Sequence, residues 1–165
     1  MANWKGHLAG GAVVTGVYTL AVINLPIERF AEYGQLLYDW QAIFAVFVLG
    51  MLFALFPDVD TNSKAQDIFY PATFGFDVIL VYGGHYQAAA YLGLIAMLPI
   101  LAHHRGWTHK KWAMLIVPLP IVLVPYLADE RLLPIGLIYY GAAVAGYFSH
   151  LLLDGLIWKR FRIKN

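Results

Sequence analysis

The sequence contains no cysteine. That absence removes disulfides, thiolate nucleophiles and zinc–thiolate sites together, and leaves the redox compartment unread. Charge is also scarce: 13% of the residues are Asp, Glu, Lys or Arg, against ~25% in an ordinary soluble domain. The formal net charge of +1 excludes a nucleic-acid binder driven by bulk positive charge. No repeat, linker or low-complexity stretch interrupts the chain. What fills the 165 residues instead is apolar side chain, 61% of the total. A chain this short has too little interior to hide so much. The composition therefore points to a single domain, residues 1–165, embedded in a membrane.

A membrane helix needs ~20 mostly apolar residues. Leu8–Ile27 meets this with no internal charge, and Glu28, Arg29 and Glu32 close it. It is longer than a signal-peptide core and lacks a clear small-residue cleavage site, so it reads as a retained first span. Trp40–Phe56 is the second span, stopped by Pro57. Phe69–Gly84 and Tyr86–Ala102 are two shorter runs, broken by Gly83-Gly84-His85. Trp112–Leu127 carries Pro118, Pro120 and Pro125, which predicts a kink. Leu133–Trp158 is the last and longest run. The expected fold class is all-α: a polytopic membrane bundle of four main spans plus a hairpin of two shorter membrane segments.

Lys and Arg collect on the cytoplasmic side of a membrane. Lys5 precedes the first span, Arg105, Lys110 and Lys111 follow Ala102, and Lys159, Arg160, Arg162 and Lys164 crowd the C-terminus. Residues 28–39 and 129–131 are acidic on balance. Both termini and the 103–111 loop are therefore expected in the cytoplasm. Residues 69–102 must then cross an even number of times, as two thin spans or as a re-entrant hairpin. Asp77 favours a hairpin buried in protein, because a lipid-facing Asp at mid-membrane costs ~2.5–3.5 kcal/mol. Trp4, Trp40, Trp107, Trp112 and Trp158 fall at span ends, where indoles settle. The pairs Gly6/Gly10, Ala12/Gly16 and Ala142/Gly146 allow close helix approach, and are equally ordinary membrane-helix composition.

In so apolar a chain, ionisable residues at membrane depth are costly and mark function. Four clusters stand out: His7; Pro57-Asp58-Val59-Asp60; His103-His104-Arg105-Gly106-Trp107-Thr108-His109; and His150 with Asp154. The charge-based topology puts all four on one side, although Asp and His had no part in setting it. His150 and Asp154 are one helical turn apart. Asp58 and Asp60 project to the same side if their segment is extended. His104 and His109 bracket a short Gly-containing loop.

His7, Asp58, Asp60, His104, His109, His150 and Asp154 form a nitrogen–oxygen ligand pool suited to zinc, manganese or iron. One catalytic zinc needs three protein ligands and a water. The surplus fits two metals ~3.5–4 Å apart, which clamp both oxygens of a phosphoester displacement, or partners that orient ligand imidazoles. Each cluster also has an ordinary reading. His7 fits an interfacial histidine, Asp58 and Asp60 a solvated loop, His150–Asp154 a structural pair, and the 103–109 loop a basic surface patch. One metal site explains all four costs at once. His103 points elsewhere, His85 at the hairpin turn has no assigned role, and Asp39, Asp67 and Asp129 read as loop or interfacial charges.

The order of these motifs resembles the YdjM-like family of bacterial inner-membrane proteins described as metal-dependent hydrolases. The matching residues are His7 and Gly11, Pro57-Asp58-Val59-Asp60, His104-Arg105-Gly106-Trp107-Thr108-His109, and His150 with Asp154. Ser63 and Lys64 resemble the polar stretch that follows the second motif. The family is distantly similar to zinc-dependent phospholipases C, helical proteins with His/Asp metal clusters. The resemblance implies a multi-pass inner-membrane protein that uses one or two divalent ions, zinc first, to hydrolyse a lipid phosphoester. In that mechanism a metal-activated water attacks phosphorus, and a carboxylate such as Asp60, if left off the metal, is the general base. Arg105 pairs with phosphate through its planar fork. Thr108 hydrogen-bonds a ligand or the substrate, and Lys64 and Lys110 attract anionic head groups. Hydrolysis of an ester or amide, or a purely structural metal site in a non-enzyme, are the alternatives. A carrier would need polar residues on both sides of the membrane, and the cluster here is one-sided.

Overall fold

A computed structural model describes residues 3–24, 37, 39–59, 63–101 and 107–157. Every regular element among them is helical. In chain order they are α1 (Trp4–Asn24), α2 (Trp40–Leu55), a 3-10 turn (Phe56–Asp58), α3 (Lys64–Tyr82), α4 (Tyr86–Leu101), α5 (Ala113–Ile116), α6 (Pro120–Ala128), a second 3-10 turn (Glu130–Leu132) and α7 (Leu133–Leu153).

Among the described residues, three segments are long and apolar enough to cross a membrane: Trp4–Asn24, Trp40–Asp58 and Glu130–Leu153. The expected fourth main span is broken at its prolines, as the kink read from them anticipates, and it is shorter than the other three. Residues 112–127 form two short helices, α5 and α6, joined by a turn at 117–119. Pro118 and Pro120 lack the N–H that a continuous helix would need there. Two boundaries also move. α3 begins at Lys64 rather than Phe69, because Ser63 caps it, its side chain accepting from the Gln66 amide. α7 ends at Leu153 rather than running on to Trp158, because Gly155 turns left-handed at φ 69°. The Gly155 amide then donates to Leu152 and the Leu156 amide to Leu151, the paired bonds that close a helix at such a glycine.

The core is made by α1, α2 and α7. Gly50 and Gly146 set how closely these helices approach. A Cβ on Gly146 would stand 1.9 Å from the Gly50 carbonyl oxygen, and one on Gly50 would stand 2.0 Å from Thr15 Oγ1. The Gly50–Gly146 contact, followed one turn later by a bond between Ala54 and His150, makes α2 and α7 parallel. Gly11 against Ala54 and Gly50 against Thr15 make α1 antiparallel to both. The Tyr18 hydroxyl ties α1 to α7 by donating to the Ile138 carbonyl at 2.9 Å.

Parallel α2 and α7 require the intervening chain to change ends an odd number of times. α3 and α4 form a hairpin that turns at Gly84 (φ 78°) and so return to their starting end. α5 and α6 make the remaining passage, antiparallel to α7: Tyr140 donates to Leu115, and Gly136 lies against Val122. Asp77 is half-buried on α3, with Oδ1 shielded from solvent. The hairpin turns Phe74, Val78, Ile79 and Leu94 outward, an apolar exterior suited to lipid rather than water.

Candidate metal centre

Three helix ends meet at one end of the bundle. Asn3 begins α1, its side chain accepting from the Gly6 amide at 2.9 Å, as an N-cap does. His7 therefore lies in the first turn, and it is completely buried. The chain leaving α2 is not extended through Asp58, so the condition under which Asp58 and Asp60 would project to the same side is not met there. Pro57 is the middle residue of the 3-10 turn Phe56–Asp58, and Val59 follows in helical backbone at φ −73°, ψ −17°. Phe56, Pro57 and Val59 are all buried in apolar surroundings, which leaves Asp58 to face the site. The Ser63 hydroxyl donates to the Asp58 carbonyl at 2.8 Å and so joins this turn to the cap of α3. On α7, His150 is fully buried and Asp154 is the cap residue held by the Gly155 turn.

A fourth piece comes from the turn around Thr108. Trp107 and Trp112 stack across it with centroids 5.8 Å apart. The Lys111 ammonium donates to the Ile157 carbonyl at 3.1 Å. From α7, the buried Tyr147 hydroxyl donates to the Thr108 carbonyl. Together these contacts hold His109 against His150, with ring centroids 5.4 Å apart.

The resulting distances suit a shared ion better than direct pairing. His109 Nε2 lies 3.4 Å from Asp58 Oδ1. His150 Nε2 lies 3.7 Å from Asp58 Oδ1 and 3.7 Å from Asp154 Oδ2. Good N–H···O bonds are ~2.7–3.2 Å. Two ligands at ~2.0–2.2 Å from one tetrahedral zinc stand ~3.4 Å apart. Asp58, His109, His150 and Asp154 each present a ligand atom, all within 4.8 Å of one another, and could hold a metal ion.

The ring of His150 is oriented for this. Its Nδ1 lies 2.8 Å from the Ala54 carbonyl, which can only accept. The proton is on Nδ1, and Nε2 keeps its lone pair toward the carboxylates. Fixing a ligand imidazole through its other nitrogen is the usual arrangement in metal sites. His109 has the same design. Ligation through Nε2 leaves its proton on Nδ1, which then donates to Thr108 Oγ1 at 3.2 Å. Neither Nε2 has a hydrogen-bond partner among the described residues. Buried unmatched polar atoms are rare, and an ion or water is the common explanation.

The chain matches the YdjM inner membrane protein family over residues 1–159. It belongs to that family. No curated protein and no solved structure matches it. The YdjM assignment makes this an inner membrane protein, and the apolar helices α1, α2 and α7 agree with that.

Of the site residues named from the sequence of this YdjM member, His7, Asp58, His109, His150 and Asp154 come together. Asp60, His104 and Arg105 lie outside the described residues. Thr108 is fully buried beside His109, with its Oγ1 3.2 Å from the Nδ1 of that ring. Lys64 is exposed and paired with Asp67 at 3.1 Å, and Lys110 is exposed near the turn. His85 sits exposed at the hairpin turn, away from the centre. Asp39 caps α2, and Asp129 caps the second 3-10 turn and pairs with Arg131. Sequence reasoning missed Tyr147, the Ala54 carbonyl and Gly155. Only Gly155 carried a signal, as a glycine directly after Asp154 inside an apolar run.

Proposed function

We propose that this YdjM-family protein is a membrane-bound, metal-dependent hydrolase acting at the cytoplasmic face on a lipid phosphoester, with zinc as the ion and manganese or iron as substitutes. The observation that carries this reading is the fixed His150 ring, whose Nε2 is aimed at two carboxylates beside a second imidazole. The cluster is not sealed, which favours catalysis over a structural role. The side chain of Asp58 is 26% exposed and that of His109 14% exposed. A cleft of about 330 Å³, lined by Ser63, Lys64, Gln66 and Asp67, adjoins the Asp58 turn through the Ser63 bond.

Each residue has a role in this proposal. Asp58, His109, His150 and Asp154 hold the ion. The ion, when bound, supplies a Lewis acid and lowers the pKa of water from ~15.7 toward ~7. Thr108 and the Ala54 carbonyl keep the two imidazoles in the ligating tautomer. Asp60 takes the proton of the attacking water. Arg105 receives the phosphoryl oxygens on its guanidinium fork. Lys64 and Lys110 draw anionic head groups to the surface. Both termini face the cytoplasm.

The test is hydrolysis of a panel of phospholipid vesicles by purified protein, with and without chelator. Chelator-sensitive release of a phosphorylated head group is the expected result. Arg105→Lys should keep the metal content and lower turnover at least tenfold, ~1.4 kcal/mol of transition-state stabilisation. Chelator-sensitive cleavage of carboxyl esters or amides alone would replace the phosphoester substrate. Metal content without any hydrolysis would return the site to a structural role.

A further inference from the structure

The α3–α4 hairpin carries a polar group that the metal centre does not use. Asp77 stands ~20 Å along α3 from Lys64, its first residue, at the helical rise per residue. That depth is well inside a hydrocarbon core ~30 Å thick. Asp77 is half-buried, and its Oδ1 is shielded from solvent with no hydrogen-bond partner among the described residues. An unmatched carboxyl in a membrane is costly, and the rest of the chain covers this one only in part. The described α-helices carry Lys or Arg only in their first turns, at Lys5 and Lys64. No cation of these helices therefore stands at the depth of Asp77.

Asp77 also belongs to a seam. Tyr70, Phe74, Asp77 and Val81 recur at intervals of four, three and four, the spacing that keeps one narrow helix face against a partner helix. The buried face of α3, made by Ala65, Phe69 and Thr73, is a different one. Along the seam, Phe74 is 70% exposed and Val81 45% exposed. Tyr70 packs beside the core, and its hydroxyl is likewise shielded and unmatched among the described residues. The seam is thus apolar and open on either side of one carboxyl.

We infer that α3 pairs with α3 of a second copy of this chain along Tyr70, Phe74, Asp77 and Val81, with the two Asp77 carboxyls hydrogen-bonded to each other inside the bilayer. Copies inserted with one topology pair about a two-fold axis along the membrane normal. That axis sets α3 parallel to its copy and places each seam residue opposite itself. Phe74 and Val81 are apolar and match themselves. A carboxylic acid carries both a donor and an acceptor, so it too is its own complement. A single polar residue in an apolar seam fixes register, and bonds between polar side chains hold helices together in membranes. A different protein would have to bring its own donor or cation to this depth.

The lack of cysteine makes the test direct. Phe74→Cys and Val81→Cys each introduce one thiol into the full-length protein, which is reconstituted at low density in phospholipid vesicles and oxidised with copper-phenanthroline. Both should give disulfide-linked dimers. Val17→Cys, on an α1 position that is 63% exposed, should not. Asp77→Ala in the Val81→Cys background should lower the linked fraction about fivefold or more, the effect of one interhelical hydrogen bond. Asp77→Asn, which keeps a donor and an acceptor, should retain it. Circular dichroism and gel filtration check that the variants are folded, and the two thiol reactions stand even if Asp77→Ala is not. Absence of dimers from both thiols, or equal linking through Val17→Cys, overturns the pairing. Undiminished linking in folded Asp77→Ala overturns the carboxyl contact. Oxidation in native membranes that links the seam to a different protein in place of a second copy overturns the inference as well.

Discussion

Tyr147 is tied to the candidate metal centre through Thr108. Its ring fills the core beside Phe56, and its hydroxyl reaches the Thr108 carbonyl. Thr108 in turn bonds the Nδ1 of His109. Tyr147→Phe keeps the packing and removes only the donor. Loss of such an outlying partner typically lowers metal affinity 10–100-fold. Titration against a chelating dye should show a drop in that range, with helix content unchanged; unchanged affinity would leave Tyr147 as core alone. His150 and Asp154 were legible in the sequence because ionisable groups one turn apart inside an apolar run have few ordinary uses. Tyr147 was not, since nothing in a string distinguishes a core tyrosine from one whose hydroxyl crosses to another segment. The shape of the Pro-Asp-x-Asp stretch is not legible in the sequence for a related reason. Spacing fixes which side chains alternate only once the backbone is known to be extended, and here buried Phe56, Pro57 and Val59 wind it into a turn.

At the scale of elements, contact between α2 and α7 depends on two glycines at one crossing. Gly146→Ala would drive a methyl group to within 1.9 Å of the Gly50 carbonyl, so the helices must separate. Overpacking of this kind costs ~1–3 kcal/mol. Thermal unfolding in detergent should show a clearly lower midpoint. Weaker metal binding should accompany it, because His150 takes its orientation from Ala54 across the same interface. A midpoint and affinity equal to wild type would mean that the crossing is looser than it is drawn here. The sequence pointed at Gly146 through its spacing from Ala142, and Gly50 stands in the same relation to Ala54, a pair that the same spacing marks. Such spacing marks a helix that can be approached closely, but not which helix approaches it. The same limit explains α5 and α6: the prolines announced a disturbance, while the length of helix on each side of it depends on packing against α7.

At the scale of the whole molecule, the parallel pairing of α2 and α7 constrains how the chain threads the bilayer. Reporters placed near Lys64 and after residue 165 should give the same side, and a reporter near Glu32 the other. Lys64 and the C-terminus on opposite sides would break the one-sided centre proposed here. The residues that meet at that centre also come from the two ends of the sequence, His7 from the start of α1 and Asp154 from just beyond α7. They are separated by nearly every other element. A chain emerging from the ribosome N-terminus first therefore cannot assemble this cluster until its final helix has been inserted. If the centre holds an ion as proposed, that ion certifies that the polypeptide has been made and threaded through to its last span.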